Sequence, residues 1–503
     1  MRFAAPALAL LLAASVAPAA GDAPGGDLDA LLARVREASG APYAHHIVSR
    51  FKDVEAGRSY DVEVETDGYR LLVHRCRTVV CDGVYFDGER AFDLNLNDTA
   101  LPRGSANDVK EERTLRAVDT LAFTAPDFHA TGGAVAELAD VRHEGRALRR
   151  VAVSTSGGGA IDVLIDGETA RVIATAQGDG KVVDEFRDFR KVGTLTLPFE
   201  IWHADERERL YDTREVSDAP FVAPAGVAPA FAGAVAPIAI QSPPGDRPGS
   251  LPQPVVPCAF GGIRVLCLVD TGNSSLGISL ELAERLGVEP SGEYVVAGLG
   301  NYVTGIVSAG PLRVGNATYP PAKYVVLHDL HDYGYDVVLG TDAFAHATIT
   351  LDYAHATIAF APPGGTTQGT AIPLRFQDFV PIVNAQLGAF DALLAVDTGD
   401  EAAINVSKSY YDAHPALFVP SGTREVSGIG GEGEQVVGML QTVRIGTFEV
   451  LQQPIAATAS AIETASGHVG SAFLSNFAVI FDYASARFSL VPRPGDTAVR
   501  TVE

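Results

Sequence analysis

A tetrapeptide that occurs twice constrains this chain more than any other feature. Val269-Asp270-Thr271-Gly272 and Val396-Asp397-Thr398-Gly399 stand 127 positions apart. At that offset Pro254 falls on Pro381 and Gly261 on Gly388, with no gap. Further on, Val338-Leu339-Gly340 corresponds to His468-Val469-Gly470. Asp352-Tyr353 and Asp482-Tyr483 each begin twelve residues beyond that glycine. On average composition a bare Asp-Thr-Gly turns up by chance in roughly one chain of this length in ten. Two copies inside one repeat are not chance. The repeat predicts two equivalent lobes, residues 254–363 and 370–503.

Each predicted lobe runs through the same elements. An apolar strand (Val265-Leu-Cys-Leu-Val; Ala392-Leu-Leu-Ala-Val) leads into Asp-Thr-Gly. The glycine permits a sharp turn at the strand end, so the carboxylate projects from the sheet. The threonine hydroxyl can bond a neighbouring backbone and hold that loop. A glycine-rich hairpin follows, Val295-Val-Ala-Gly-Leu-Gly-Asn-Tyr-Val-Thr-Gly in the first copy and Val426-Ser-Gly-Ile-Gly-Gly-Glu-Gly-Glu-Gln-Val in the second. Hairpins of this kind serve as mobile covers that keep water out. Ser279 caps a short helix over Leu280–Leu286 that stops at Gly287, and Ser407 caps one that ends near His414.

Outside the repeat the texture differs. Leu28, Leu31, Leu32 and Val35 recur at helical spacing, which predicts a helix over 27–39 stopped by Gly40. From His45 to Val216 short alternating strands, such as Tyr60-Asp-Val-Glu-Val-Glu and Ala160-Ile-Asp-Val-Leu-Ile, are separated by Gly, Asp and Asn. Residues 26–216 therefore read as an antiparallel β domain with one helix. Ten prolines between Pro220 and Pro257 mark residues 217–253 as a linker. The expected fold class is mainly β throughout.

The N-terminus reads as an export signal. One arginine, a short apolar run and Ala17-Pro18-Ala19 predict a signal peptide over residues 1–20; an uncleaved anchor is the rival. No second apolar run of spanning length follows, so a soluble, periplasmic or secreted protein is expected. Export makes disulfides accessible. Cys76 and Cys81 flank Arg77-Thr-Val-Val and could close a tight loop. Cys258 and Cys267 sit on the arms of a hairpin turning near Gly261-Gly262. In the second copy both are replaced together, by Ala385 and Leu394, as a bonded pair would be.

Several function classes are disfavoured. The balance of 38 Lys+Arg against 62 Asp+Glu gives −24, a field that repels phosphate backbones, so no nucleic-acid partner is expected. A hydrophobic content of 47% excludes wholesale disorder. His74 beside Cys76 and Cys81 lacks a second ligand pair. His328, His331 and His346 have no helical ligand spacing, and no His-Glu-x-x-His occurs. Neither a metal nor another cofactor is expected.

With these residues in view, 254–503 resembles a tandem aspartic protease of the retropepsin and pepsin type, a bilobal pair of small β-barrels. The resemblance implies that Asp270 and Asp397 are the catalytic pair, braced by Thr271 and Thr398, with Gly272 and Gly399 making the turns. Leu339-Gly340 and Val469-Gly470 match the segments that pack beneath each aspartate loop. Gly298, Gly300 and Tyr302, and Gly428 and Gly430, fall in the family's flaps, where Tyr302 would line the cleft. Two departures stand out. Family members usually carry Ala or Ser after the motif, and this chain has Asn273 in one copy and Asp400-Glu401 in the other. Extra carboxylates would raise the pKa of Asp397 unless they point outward.

The implied activity is that of an exported endopeptidase in which two aspartates activate one water against a peptide bond. Its partner is a peptide or protein substrate. Both aspartates lie in one chain, which removes the need for dimerisation and favours a monomer. The alternative on the same folds is a catalytically inactive exported peptide- or lipid-binding protein; a homodimer using one aspartate per chain is a third version. Tyr85-Phe-Asp-Gly and the run from Phe186 to Phe199 give residues 26–216 a resemblance to outer-membrane lipoprotein carriers, a curved antiparallel sheet wrapped on a helix. That resemblance implies a lipid or lipoprotein ligand for the N-terminal domain.

Overall fold

The computed structural model describes residues 25–103, 106–204, 206–241, 253–364, 368–458 and 465–502. The expected signal peptide, residues 1–20, and residues 242–252 of the expected linker lie outside the described residues. The protein is mainly β. Its contacts group it into two compact units. One holds the chain up to Arg77 together with Cys81–Asp93 and Arg103–Pro224. The other holds Thr78–Val80, Leu94–Pro102 and the chain from Ala225 onward. Among the described residues no helix is long and apolar enough to cross a membrane.

In the first unit alternating strands pair antiparallel in one sheet. The order runs from Arg70–Arg77 through Arg58–Asp67, His46–Glu55, Glu206–Val216, Leu195–His203, Val182–Val192, Arg171–Ala176, Ile161–Asp166 and Arg146–Ser154 to Ala134–His143. The helix Gly25–Ser39 lays Leu31, Leu32 and Val35 against Val151, Val153, Val163 and Ile165. Each such side chain, fully buried, contributes about 1.5–3 kcal/mol. Gly40 ends the helix at φ +79°, where a Cβ would stand 2.5 Å from the Thr194 carbonyl oxygen. A second helix, Ala106–Asp119, adds Ala117 and Val118 to the same cluster. A disulfide joins Cys76 to Cys81.

In the second unit the duplication is visible in strand order. The first lobe arranges Val255–Phe260, Ile263–Val269, Val337–Leu339, Gly277–Ser279, Ala322–Leu327, Asn301–Ala309 and Ser291–Ala297 side by side. The second arranges Val380–Leu387, Phe390–Asp397, Gly467–Gly470, Ile404–Ser407, Phe448–Thr458, Gly431–Ile445 and Pro420–Gly428 in the same sequence of neighbours. The strand before each aspartate pairs parallel with the short strand ending near Gly340 or at Gly470. That short strand pairs antiparallel with the next in both lobes. Cys258 and Cys267 are bonded across neighbouring strands, with Cα atoms 6.1 Å apart. Ala385 and Leu394 fill the matching positions and are buried.

A third sheet locks the lobes together. Thr348–Asp352 and Thr357–Ala361 from the first lobe lie beside Phe477–Asp482 and Arg487–Pro492 from the second, with Leu351 opposite Val479. Beneath it Phe344 stacks on Tyr483 at 5.2 Å and meets Phe481 edge-on at 5.4 Å. One apolar core therefore runs through both lobes, and it fixes how the two Asp-Thr-Gly loops approach.

Candidate active site

Each aspartate stands at the end of a buried apolar strand, and its loop is built from backbone donors. The Gly272 N–H donates to Asp270 Oδ1 at 2.8 Å, and the Gly399 N–H donates to Asp397 Oδ1 at 2.9 Å. The Asp400 N–H adds a second bond to Asp397 Oδ1 at 3.2 Å. Donors aimed at a carboxylate favour its charged form.

The threonines interlock the loops. The Thr271 N–H donates to Thr398 Oγ1 and the Thr398 N–H to Thr271 Oγ1, both at 3.0 Å. The Thr271 hydroxyl then donates to the Val396 carbonyl at 2.6 Å, and the Thr398 hydroxyl to the Val269 carbonyl at 2.7 Å. Both threonines are fully buried. Each hydroxyl reaches into the other lobe, so the four bonds set the distance between the loops.

The glycines bring the carboxyls together. A Cβ on Gly272 would stand 2.5 Å from the Asp397 carboxyl, and one on Gly399 would stand 2.7 Å from the Asp270 carboxyl. Burial and the Asp397 charge hold Asp270 well above the usual carboxylate range. Burial also raises Asp397, while the neighbouring His468 pulls it down and Asp400 pushes it up. Both carboxyls are thus raised, and Asp270 is the one with no cation beside it, among the described residues, to offset the shift.

Gly340 and Gly470 lie under the loops. A Cβ on Gly340 would overlap the carbonyl oxygens of Asn273 and Ser275; one on Gly470 would overlap those of Asp400 and Ala402. Behind these glycines the lobes differ. In the first, the buried Asp342 carboxyl receives Ser275 Oγ at 2.9 Å and the Leu276 N–H at 3.0 Å, which pins the loop after Asp270. It also receives Asn95 Nδ2 at 2.9 Å, Asn97 Nδ2 at 3.1 Å and the Thr99 hydroxyl. These three come from Leu94–Pro102, a stretch far upstream that belongs to this unit. In the second lobe Ala472 stands where Asp342 stands in the first. The Ser471 N–H donates to the Asp400 carbonyl at 2.7 Å, and the Ser471 hydroxyl to the Thr398 carbonyl at 2.8 Å.

The two glycine-rich hairpins meet at their tips. The Leu299 N–H donates to the Ile429 carbonyl at 2.9 Å. A Cβ on Gly298 would overlap the Ile429 carbonyl, one on Gly300 the Gly430 carbonyl, and one on Gly430 the Gly300 carbonyl. Bare backbone is needed on both sides for this approach. Gly428 sits next to it, facing Leu299. Tyr302 lies farther along its hairpin, tilted against the His328 ring at 5.2 Å, and burial raises its hydroxyl pKa. Glu401 is exposed, whereas Asp400 turns inward toward His468.

Of the histidines weighed as metal ligands, His328 and His331 have protein partners, whereas His346 Nε2 is buried with no hydrogen-bond partner among the described residues. His328 Nε2 lies 3.2 Å from Thr304 Oγ1, and His331 Nδ1 lies 3.2 Å from Asp336. Among the described residues, His143, Glu144 and Glu185, and also Asp184, His203 and Glu208, bring ligand-type atoms within 4.8 Å of one another. Within these groupings His143 Nε2 lies 2.6 Å from Glu185 and His203 Nδ1 lies 2.9 Å from Asp184.

A family model described as aspartyl protease matches residues 256–343. The match spans the first Asp-Thr-Gly loop, its hairpin and Gly340. No curated protein matches the chain. Residues 256–343 are aspartyl protease-like, and the general function this segment supports is that of a protease-type hydrolase.

Proposed function

We propose that the chain is an exported aspartic endopeptidase whose catalytic pair is Asp270 and Asp397. The observation that carries this reading is the reciprocal loop geometry: four threonine bonds between the lobes, and each loop glycine against the other lobe's carboxyl. Two carboxyls so close in a partly covered site do not both ionise, so the pair titrates in two steps and shares one proton between them, as aspartic protease dyads do. Asp397 takes a proton from a water molecule as its oxygen attacks the scissile carbonyl carbon. Asp270 gives its proton to the carbonyl oxygen, and a gem-diol forms. Proton return from Asp397 to the amide nitrogen, with loss of a hydroxyl proton to Asp270, breaks the C–N bond. No acyl-enzyme forms. An extended peptide under the hairpins, bonded to them through its backbone as an added strand, is the substrate.

The two disulfides are compatible with export. On the sequence resemblance of residues 26–216 to lipoprotein carriers, the role assigned to that region is substrate recruitment or lipid binding. A peptide-library digest from pH 3 to 8 tests the assignment. Asp270→Asn and Asp397→Asn should each lower cleavage by at least ~10²–10⁴-fold, and a pepstatin-type inhibitor should block the wild type. Equal cleavage by wild type and both variants would refute it. Loss in Asp270→Asn alone would point to a one-lobe dimer, and no cleavage by wild type at any pH to a binding protein.

A further inference from the structure

Seven strands of the two lobes match in order, yet beside the aspartates the lobes differ in charge. At the position where the first lobe has buried Val338, the second has His468, its side chain only 14% exposed. His468 Nδ1 lies 3.6 Å from Asp397 Oδ2 and 3.8 Å from Asp400 Oδ2. Asp397 Oδ1 is occupied by two backbone donors, so Oδ2 is the oxygen turned toward the imidazole. Asp400 Oδ1 accepts the Ala402 N–H at 2.8 Å, and its Oδ2 is buried with no hydrogen bond of its own. Two carboxylate oxygens thus converge on one ring nitrogen.

We propose that His468 is a positioning residue of the dyad: protonated between Asp397 and Asp400, it keeps the negative charge of the singly ionised pair on Asp397 and leaves the proton on Asp270. This rests on the peptidase reading and deepens it. The ionisable groups facing the imidazole are few. Asp397 and Asp400 come from the loop, and Asp270 acts through Asp397. The strand on the other side, Ile404–Ser407, has no ionisable side chain. Tyr353 and Tyr483 belong to the apolar core that joins the lobes, and burial raises both hydroxyls. Burial opposes the imidazolium, but the Asp400 and Asp397 carboxylates outweigh it, and His468 is raised from its ordinary value. Asp400, read from the sequence as a threat to the dyad, becomes the counter-ion that keeps His468 charged.

The signs are distinct. A cation beside Asp397 makes the first ionisation of the dyad easier; an anion makes it harder. His468→Val, which copies the first lobe, should move the acid limb of the kcat/KM profile to higher pH, with a several-fold loss of rate on that limb. His468→Gln, closer in polarity, should move it the same way and guards against a folding failure of the valine variant. Asp400→Asn should move the limb to lower pH. A residue with a structural role alone would lower rates without moving the limb. The imidazole titration, followed by NMR and assigned with His468→Gln, reads the same contact without catalysis. His468 should titrate above 6.5 in wild type and lower in Asp397→Asn. Limb shifts of one sign in all variants, or an imidazole indifferent to Asp397→Asn, overturns the proposal. If the wild type cleaves nothing, the peptidase reading fails while the NMR titration still decides whether His468 is paired.

Discussion

Thr99 is a sharp place to test how the first lobe is held together. It is fully buried, and its hydroxyl donates to Asp342, whose own exposure is 0%. Thr99→Val keeps the shape and the methyl group and removes only the O–H. A hydrogen bond to a charged acceptor contributes about 1.5–3 kcal/mol, and the acceptor is left in place without one donor. Four donors remain, Asn95, Asn97, Ser275 and Leu276, so the cost should be near 2 kcal/mol rather than the 3–5 kcal/mol of a fully orphaned buried charge. With a urea slope of about 2–3 kcal/mol/M, the midpoint of the second unit should fall by about 0.7–1 M. Near-UV circular dichroism follows the tyrosines, and fluorescence of Trp202, the only tryptophan, reports the first unit separately. Thr99→Ser keeps the donor and loses one methyl, about 0.8 kcal/mol. In an Asp342→Asn background the cost of Thr99→Val should shrink, since the two residues share one interaction. A midpoint for Thr99→Val within ~0.5 kcal/mol of wild type, the range of ordinary surface changes, refutes the reasoning. So does a serine variant that falls as far as the valine one.

Two further outcomes follow from the dyad and the hairpins. Asp270 has a raised folded pKa, so the native state holds a proton that the unfolded chain releases, and raising the pH above the ordinary aspartate value works against folding. Asp270→Asn should therefore stabilise the second unit at neutral pH, with the gain vanishing below about pH 3.8, the ordinary aspartate value, where both states are protonated; a thermal-melt series across that range checks it, and a variant less stable than wild type at pH 7 contradicts it. Gly300→Ala would drive a Cβ into the Gly430 carbonyl and part the hairpin tips. A KM raised severalfold with kcat changed less is expected, and steady-state kinetics showing no KM change would remove the tip contact from substrate binding.

Much of the architecture was legible because the chain states it twice. An ungapped offset linked Asp270 to Asp397, and the matching segments ending at Gly340 and Gly470, each twelve residues before an Asp-Tyr pair, located the short strands beneath them; the reciprocal threonine bonds need both copies to be in register. The helix Ala106–Asp119 was harder to see. Half of its sequence ANDVKEERTLRAVD is charged, and the apolar residues that anchor it, Leu115, Ala117 and Val118, crowd its C-terminal end instead of recurring along it. Asn95, Asn97 and Thr99 carried no signal at all toward Asp342, because their partner lies 243–247 residues away and a short polar stretch reads as a surface turn. His468 and Asp342 were readable in principle. They are among the places where the aligned copies differ in charge, Val338 against His468 and Asp342 against Ala472.

That pattern of difference has a physical consequence. In a site assembled from two identical chains, any histidine behind one aspartate stands behind the other as well. The two carboxyls then have equal environments, and neither is preferred as the proton's holder. Tandem duplication removes the constraint. The parts that must be symmetric to build the site have stayed so: the threonine bonds, the bare glycines, the parallel strand pairs. The parts one step behind have diverged, a hydrogen-bonded acid bracing the first loop and an imidazole with its own carboxylate flanking the second. The core that joins the lobes tolerates this because both changes are locally satisfied: Asp342 by five donors, and His468 by two facing carboxylates. The imidazole and its carboxylate bias which aspartate carries the charge, while the threonine and glycine layer that sets their separation is unchanged.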